Sequence, residues 1–233
     1  MIPPIVITRP AQQGAAFASA LEEAWGGKLP ILLAPLMEIV PVRPKSPVEN
    51  VANVIFTSAN GVNFGAPFVD PSSTIAWCVG DQTTETAQAA GFQTQNVQGN
   101  SQTLIDALCA ARPKGGIVHL HGAHVTGQIS QQLTARGVQC HAHVVYQQED
   151  LPPDQALIDA LEANHHVIVP LFSQRSTKLF SRILPDHARP TLVAISDSVC
   201  ASAAEMSSRD VIVAKFPDKS SMITAMLHAI GKY

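Results

Sequence analysis

Tyr146 stands out as a candidate for chemistry because tyrosine is rare in this chain. It lies in Val144-Val-Tyr-Gln-Gln, and the chain's other tyrosine is Tyr233. A phenol can donate a proton or a hydrogen bond, and its ring can stack on a flat ligand. It can equally be an aromatic side chain that packs one edge of a connecting segment. The residues alone leave both interpretations open.

Short polar turns follow the predicted strands. Ligands of parallel sheets bind beyond the carboxyl ends of the strands, where helix N-termini favour anions. The candidate substrate-binding residues in these turns are Thr8, Arg9, Thr57, Ser58, Ala59, Asn60, Gly80, Thr83, His121, Gly122, Ser173, Gln174, Ser196 and Ser198. Serine and threonine also cap helices, so each hydroxyl could serve as a cap alone. Two sets of such turns, one from each of two facing domains, would form a cleft suited to a polyanion.

Five histidines lie close together in the sequence or on neighbouring predicted strands: His119, His121, His124, His141 and His143. Strand alternation places His119 and His121 on the same side, so a metal pair is geometrically possible. No nearby cysteine or acidic residue completes it, and we predict no metal site. Two interpretations of His121 stay open. It either donates a hydrogen bond to an anionic ligand or is a solvated side chain without such a role.

Composition excludes several classes of protein. The chain has 15 Lys+Arg against 18 Asp+Glu, a net charge of −3, and no basic block, which argues against a nucleic-acid partner. The apolar stretch 29–42 contains Glu38 and prolines, so no membrane span is predicted. The four cysteines fit no CxxC pattern, which indicates reduced thiols and a cytoplasmic location. Walker, GxGxxG and GxSxG motifs are absent.

Short β-branched runs alternate with helical stretches, a pattern typical of parallel sheets covered by helices. The predicted strands are Ile5–Thr8, Val54–Ser58, Ile75–Val79, Ile117–Leu120, Val167–Phe172, Thr191–Ile195 and Val211–Ala214. Helices are predicted over Ala11–Trp25 and from Ser101 and Asp154 onward. The fold class is therefore α/β.

A repeat indicates two similar units. The order strand, polar turn and helix that begins at Val54 recurs from Ile168 onward. We predict a discontinuous α/β domain over 1–34 plus 150–233 and an inserted α/β domain over 50–142. Segments 35–49 and 143–149 would form a two-stranded hinge linker.

Several motifs together resemble the uroporphyrinogen-III synthase family over nearly the whole chain. They are Val6-Ile-Thr-Arg-Pro, Phe56-Thr-Ser-Ala-Asn-Gly-Val, Val79-Gly-Asp-Gln-Thr83 with Ala-Ala-Gly91, Gly137-Val-Gln, Val-Val-Tyr146-Gln and the weaker Ala194-Ile-Ser-Asp-Ser198. The resemblance implies two doubly wound parallel-sheet (Rossmann/flavodoxin-like) domains joined by a two-stranded linker.

The resemblance also implies an activity. The family takes the linear tetrapyrrole hydroxymethylbilane, whose rings each carry an acetate and a propionate. It removes the hydroxyl as water, inverts the terminal ring and closes the macrocycle to uroporphyrinogen III, in haem biosynthesis. No metal or organic cofactor takes part, and the enzyme is usually a monomer, with transient contact to neighbouring pathway enzymes possible. Tyr146 matches the linker tyrosine that is the favoured candidate for assisting loss of the hydroxyl.

The second half departs from the family pattern. His119-Leu-His-Gly122 stands where a leucine-proline-arginine-glycine turn is common, and Val199 replaces a threonine. The late turn of the FTS type is here Leu171-Phe-Ser173. Two alternatives remain at this stage, a non-catalytic two-domain binder of small polyanionic ligands and an inactive relative retained for protein contacts.

Overall fold

The computed structural model describes residues 2–124, 128–163 and 166–233. The strands are β1 (Ile5–Ile7), β2 (Ile31–Leu33), β3 (Met37–Pro41), β4 (Val51–Phe56), β5 (Ile75–Val79), β6 (Gln93–Val97), β7 (Gly116–Gly122), β8 (Cys140–Asp150), β9 (Ile168–Leu171), β10 (Thr191–Ala194) and β11 (Asp210–Val213). The helices are α1 (Ala11–Trp25), α2 (Ala59–Gly65), α3 (Asp81–Ala89), α4 (Ser101–Ala111), α5 (Ile129–Ala135), α6 (Gln155–Ala163), α7 (Gln174–Ser181), α8 (Asp197–Ala201) and α9 (Lys219–Ile230). Among the described residues, no helix is long and apolar enough to cross a membrane.

The chain divides into two compact units. Met1–Glu38 and Glu149–Tyr233 form the terminal unit, and Ile39–Gln148 forms the middle unit. The chain leaves the terminal unit within β3 and returns to it within β8, and these two strands are neighbours in one sheet. Next to them, the Val42 N–H donates to the Val145 carbonyl at 2.9 Å.

The terminal unit contains a parallel sheet in the order β11-β10-β9-β1-β2. Apolar clusters lie on its two faces. One contains Phe17 and Leu21 of α1 with Met226 of α9, and the other contains Leu157 of α6 and Phe180 of α7. Because both faces are covered, the central strands are apolar throughout rather than alternating.

The middle unit has the sheet order β3-β8-β7-β4-β5-β6, and the pairs from β8 to β6 are parallel. Phe56 and Leu120 belong to the core on one face, and Ile55 and Leu104 belong to the core on the other. The predicted α/β fold with doubly covered parallel sheets is confirmed.

Local sequence explains how individual helices begin and end. Ser58 caps α2 and Ser173 caps α7, each by accepting a hydrogen bond from a first-turn N–H. Helix α1 ends at Gly26, whose φ of 79° is the left-handed conformation that glycine adopts at low cost. The predicted bounds of α1 are confirmed. The residue Gly61 lets α2 approach β7 closely, because a Cβ there would lie 3.1 Å from the Leu120 carbonyl oxygen.

Candidate active site

The middle unit gathers three polar turns at one edge of its sheet. Strands β7, β4 and β5 are adjacent and parallel, so their carboxyl ends lie side by side. These ends carry His121-Gly122, Thr57–Asn60 and Gly80–Thr83. The predicted residues of this unit therefore share one rim, as expected for a parallel sheet.

Tyr146 lies on β8 beside this rim. Its Oη is 3.2 Å from Ser58 Oγ, and its ring centroid is 5.7 Å from that of Phe64 at an interplanar angle of 31°. Gly122 pairs with Tyr146 across the β7–β8 ladder. A Cβ at Gly122 would lie 2.6 Å from two ring carbons of the tyrosine and 2.9 Å from its oxygen. The phenol is thus held by a hydroxyl, an aromatic ring and a glycine backbone.

The turn after β5 contains a glycine with a positive φ and is stabilised by side-chain hydrogen bonds. Gly80 has a φ of 80°, and Thr84 Oγ1 donates to its carbonyl at 2.9 Å. Asp81 accepts hydrogen bonds from Asn96 and Gln98, and these bonds hold the pKa of its carboxyl below the usual value. The side chain of Thr83 is buried. Because Gly80 has no side chain, the first turn of α3 lacks a side-chain cap from the preceding residue.

The rings of His119 and His121 on β7 are in contact and tilted by 40° to each other. The prediction that His119 and His121 face the same side is confirmed, because their ring centroids are 4.6 Å apart. His121 Nδ1–H donates to the Gly122 carbonyl at 2.7 Å, because a carbonyl oxygen can only accept. Burial, helped by the charge of His121, lowers the pKa of His119 to about 3.

The other histidines do not complete a metal site in the described part of the chain. His141 and His143 lie on β8, which pairs with β7 as predicted, and His124 is exposed. Burial, together with the charges of His141 and His121, lowers the pKa of His143. Over residues 2–124, 128–163 and 166–233, no three His, Cys, Asp or Glu side chains are grouped so that they could hold a metal ion.

The terminal unit has its own rim, at the carboxyl ends of β1, β9 and β10. The guanidinium of Arg9 lies 3.9 Å from the ring centroid of Phe172, and Phe172 makes an edge contact with Phe17 at 4.8 Å. Burial lowers the pKa of Arg9, which stays a cation at neutral pH. Among the described residues, no carboxylate forms an ion pair with it. The neighbouring Thr8 has a buried side chain.

The remaining predicted residues of the terminal unit surround two helix starts. Ser173 Oγ accepts from the Ser176 N–H at 3.1 Å, and Ser196 Oγ accepts from the Val199 N–H at 3.4 Å. Ser196 Oγ is also 3.0 Å from Ser198 Oγ. Ser173 and Ser196 are helix caps, as the alternative interpretation predicted, and their turns follow the adjacent strands β9 and β10.

Comparison with known proteins identifies the family. The family model described as Uroporphyrinogen-III synthase HemD matches residues 16–224. This chain belongs to the uroporphyrinogen-III synthase family. The matched range includes Ser58, Tyr146 and Ser173 and leaves Thr8 and Arg9 outside it.

Solved structures of the synthase share the fold. The structure from Helicobacter pylori 26695 aligns with 98% of this chain and 100% of its own, at 14% identity and a TM-score of 0.66. A mutant synthase from the extremely thermophilic bacterium Thermus thermophilus aligns with 99% of this chain and 100% of its own, at 15% identity and a TM-score of 0.50. No curated protein sequence is significantly similar to the chain.

The turn at the end of β7 has a defined local structure in this member of the synthase family. The first histidine of His119-Leu-His-Gly122 is buried in the core, and the second is fixed to the following carbonyl. Gly122 makes a close approach to Tyr146 that a side chain would block.

Two aromatic contacts of the site were not predicted from the sequence. Phe64 packs on Tyr146, and Phe172 lies under Arg9. Phe64 lies in the helix that begins after Ser58, and Phe172 directly precedes the cap Ser173. The motifs therefore predict where each phenylalanine lies along the chain. Their roles could not be found, because both depend on which strands are adjacent.

Proposed function

We propose that this chain converts hydroxymethylbilane to uroporphyrinogen III, with Tyr146 as the acid that assists loss of the hydroxyl. The family match supports the overall reaction. The observation that supports the role of Tyr146 is the position of its phenol, at the rim of the middle unit within 3.2 Å of Ser58 Oγ. Fixed placement of an acid beside a leaving group is what general acid catalysis requires.

The proposed first step is departure of the hydroxyl. The pyrrole nitrogen of the substrate pushes electrons toward the carbon that carries the hydroxyl, and the Tyr146 proton moves to the departing oxygen. Water leaves, and the substrate becomes an azafulvenium cation. A neutral phenol is a weak acid, so its contribution supplements the strong push from the pyrrole.

The protein then controls which carbon of the terminal ring attacks. Closure of the same cation without the enzyme gives the uninverted isomer, so selectivity comes from the orientation of the chain. Holding reacting groups in place can lower a barrier by up to about 7–11 kcal/mol in favourable cases. We propose that the enzyme acts mainly in this way.

The substrate's carboxylates are the groups that both rims would hold. We propose that Arg9 supplies a cation, because its guanidinium is partly buried and has no ion-paired carboxylate among the described residues. Hydroxyl, imidazole, amide and backbone groups would supply the other donors. These are Thr8, Thr57, Ala59, Asn60, Gly80, Thr83, His121, Gly122, Ser173, Gln174, Ser196 and Ser198, together with the backbone N–H of Ser58.

We also propose a cofactor-independent, monomeric enzyme of the cytoplasm. The resemblance to the family supports the first two properties. The four cysteines Cys78, Cys109, Cys140 and Cys200 are free thiols, which supports a reducing compartment. Burial raises the pKa of Cys78 to about 11 and that of Cys140 to about 12, so neither serves as a thiolate nucleophile at neutral pH.

The isomer composition of the product tests the proposed reaction. Freshly generated hydroxymethylbilane is mixed with the protein, and the ring products are oxidised and separated. We expect the type III isomer in excess over type I. Product formed only as type I, at the rate seen with heat-inactivated protein, would reject the proposal.

A further inference from the structure

We infer that Ser58 is a positioning residue whose hydroxyl donates its hydrogen bond to Tyr146, so that the phenol proton stays free for the substrate. This inference rests on the proposed function of Tyr146 as an acid. It assigns Ser58 a role through another side chain, beyond contact with the substrate.

The hydrogen bond between Ser58 Oγ and helix α2 has a defined direction. Ser58 is the N-cap of α2, and its Oγ accepts the Gly61 N–H at 3.0 Å. An N–H can only donate, so the serine oxygen is the acceptor in this bond. The serine proton is not used in this bond and can be donated to another acceptor.

The second partner of Ser58 Oγ is Tyr146 Oη, at 3.2 Å. If the serine donates, its proton is satisfied and the phenol oxygen accepts. If the phenol donates, its proton points at Ser58 Oγ and is not available to a leaving group. Either arrangement uses one of the two hydroxyl protons and leaves the other without a partner in this pair. Only the first leaves the free proton on the phenol, where the proposed acid needs it, so we assign the first.

The fold keeps the phenol in reach of this serine. Phe64, on the helix that Ser58 caps, packs on the tyrosine ring. Gly122, on the neighbouring strand β7, has no side chain and leaves room for that ring. The N-cap therefore couples the start of α2 to the acid.

The chemical consequence concerns the charge left on the phenol. When the carbon–oxygen bond of the substrate breaks, the phenol proton moves to the departing oxygen, water leaves, and a phenolate remains beside the azafulvenium cation. A hydrogen bond from Ser58 stabilises that phenolate. The phenol regains a proton when the attacking terminal ring loses its own after closure, so the protons balance over the cycle.

The hydrogen-bond direction can be measured without substrate. In a Tyr233→Phe background, Tyr146 is the only tyrosine, because the chain has two. The intensity ratio of the tyrosine Fermi doublet in the Raman spectrum rises when the phenol accepts a hydrogen bond and falls when it donates one. We expect an acceptor signature in this background.

Three substitutions at Ser58 separate capping from donation. Ser58→Thr keeps both the cap and a hydroxyl donor and should keep the acceptor signature. Ser58→Asp keeps a capping acceptor but its carboxylate can only accept, so the phenol must donate and the ratio should fall. Ser58→Ala removes both and should also lower the ratio. Asn100→Ala, which removes the cap of α4 in the same unit, should leave the ratio unchanged.

Kinetics provide the second readout. Loss of one hydrogen bond to the developing phenolate predicts a decrease in kcat of about fivefold to tenfold for Ser58→Ala, with KM little changed and activity restored in Ser58→Thr. A doublet ratio equal in Ser58→Thr and Ser58→Asp would overturn the inference, even if Ser58→Ala failed to fold. Failure of the proposed function is separate, since it would appear as absence of type III product in the unmodified protein.

Discussion

Gly122 lies against the ring of Tyr146 so closely that no side chain fits between them. A Cβ at this glycine would be 2.6 Å from two ring carbons and 2.9 Å from the phenol oxygen. The backbone of β7 therefore sets where the proposed acid stands.

Substitution of Gly122 by alanine should displace the phenol. The added methyl group pushes the ring away from Ser58, and we expect kcat to fall by about 10-fold or more, as for misplacement of a catalytic group. Steady-state kinetics with far-UV circular dichroism check the loss and the fold. Gly27→Ala is the control, because its new Cβ would meet only Trp25, at 3.9 Å. Equal kcat in Gly122→Ala and the unmodified protein would contradict this geometry.

Replacement of Arg9 by glutamine should weaken substrate binding. A charge-assisted hydrogen bond contributes about 1.5–3 kcal/mol, so we expect KM to rise by about 10- to 100-fold. Arg9→Lys should recover only part of this, since an ammonium cannot match the planar stack on Phe172. Initial rates over a range of substrate concentrations give KM. The exposed Arg43→Gln removes the same charge and should leave KM unchanged; a similar rise in both variants would point to a general charge effect instead.

Burial of His119 predicts a stability loss in mild acid. Its folded pKa is about 3, below the ordinary value of 6.5, so the unfolded chain binds the proton first. The stability it contributes is present above pH 6.5 and is lost as the pH falls toward the folded pKa. At pH 5 the predicted loss is roughly 2 kcal/mol relative to neutral pH.

Urea unfolding at pH 7 and pH 5 measures this loss. His119→Leu should reduce the difference between the two pH values by about the amount that His119 contributes. His141→Leu, at an exposed position on β8, is the control and should keep the full difference. An unchanged pH dependence in His119→Leu would show that other groups are responsible.

Chelation should leave the activity intact. His121 Nδ1 is engaged with the Gly122 carbonyl, and the ring of His119 is buried in the core. Dialysis against a strong chelator, followed by assay of kcat, checks this expectation. A loss that added zinc restores would establish a metal requirement.

The sequence predicted most of the strands and several helix bounds, because their signals are local. Strand β5 and helix α1 have the predicted residues. A continuous apolar run identifies the strand, and a spacing of four residues identifies the amphipathic helix. Strand β6 was missed. Its sequence Gln-Thr-Gln-Asn-Val carries no apolar pattern, because it is an edge strand with largely exposed side chains.

The site was predictable as a set of turns but not as a set of contacts. Tyr146 and the capping serines stand in recognisable motifs. The approach of Tyr146 to Gly122 depends on a register shift between His121 and Gly122 in the β7–β8 ladder, which no local pattern encodes. The stack of Arg9 on Phe172 likewise depends on the pairing of β1 with β9, which are far apart in the chain.

Turnover by Tyr146→Phe tests the role of the phenol most directly. The phenylalanine ring keeps the contacts with Phe64 and Gly122 and removes only the hydroxyl. We predict that kcat falls by about 10- to 100-fold, because the leaving hydroxyl loses its acid, while the protein stays folded and its product remains mainly type III. A kcat equal to that of the unmodified protein would contradict the assignment of Tyr146.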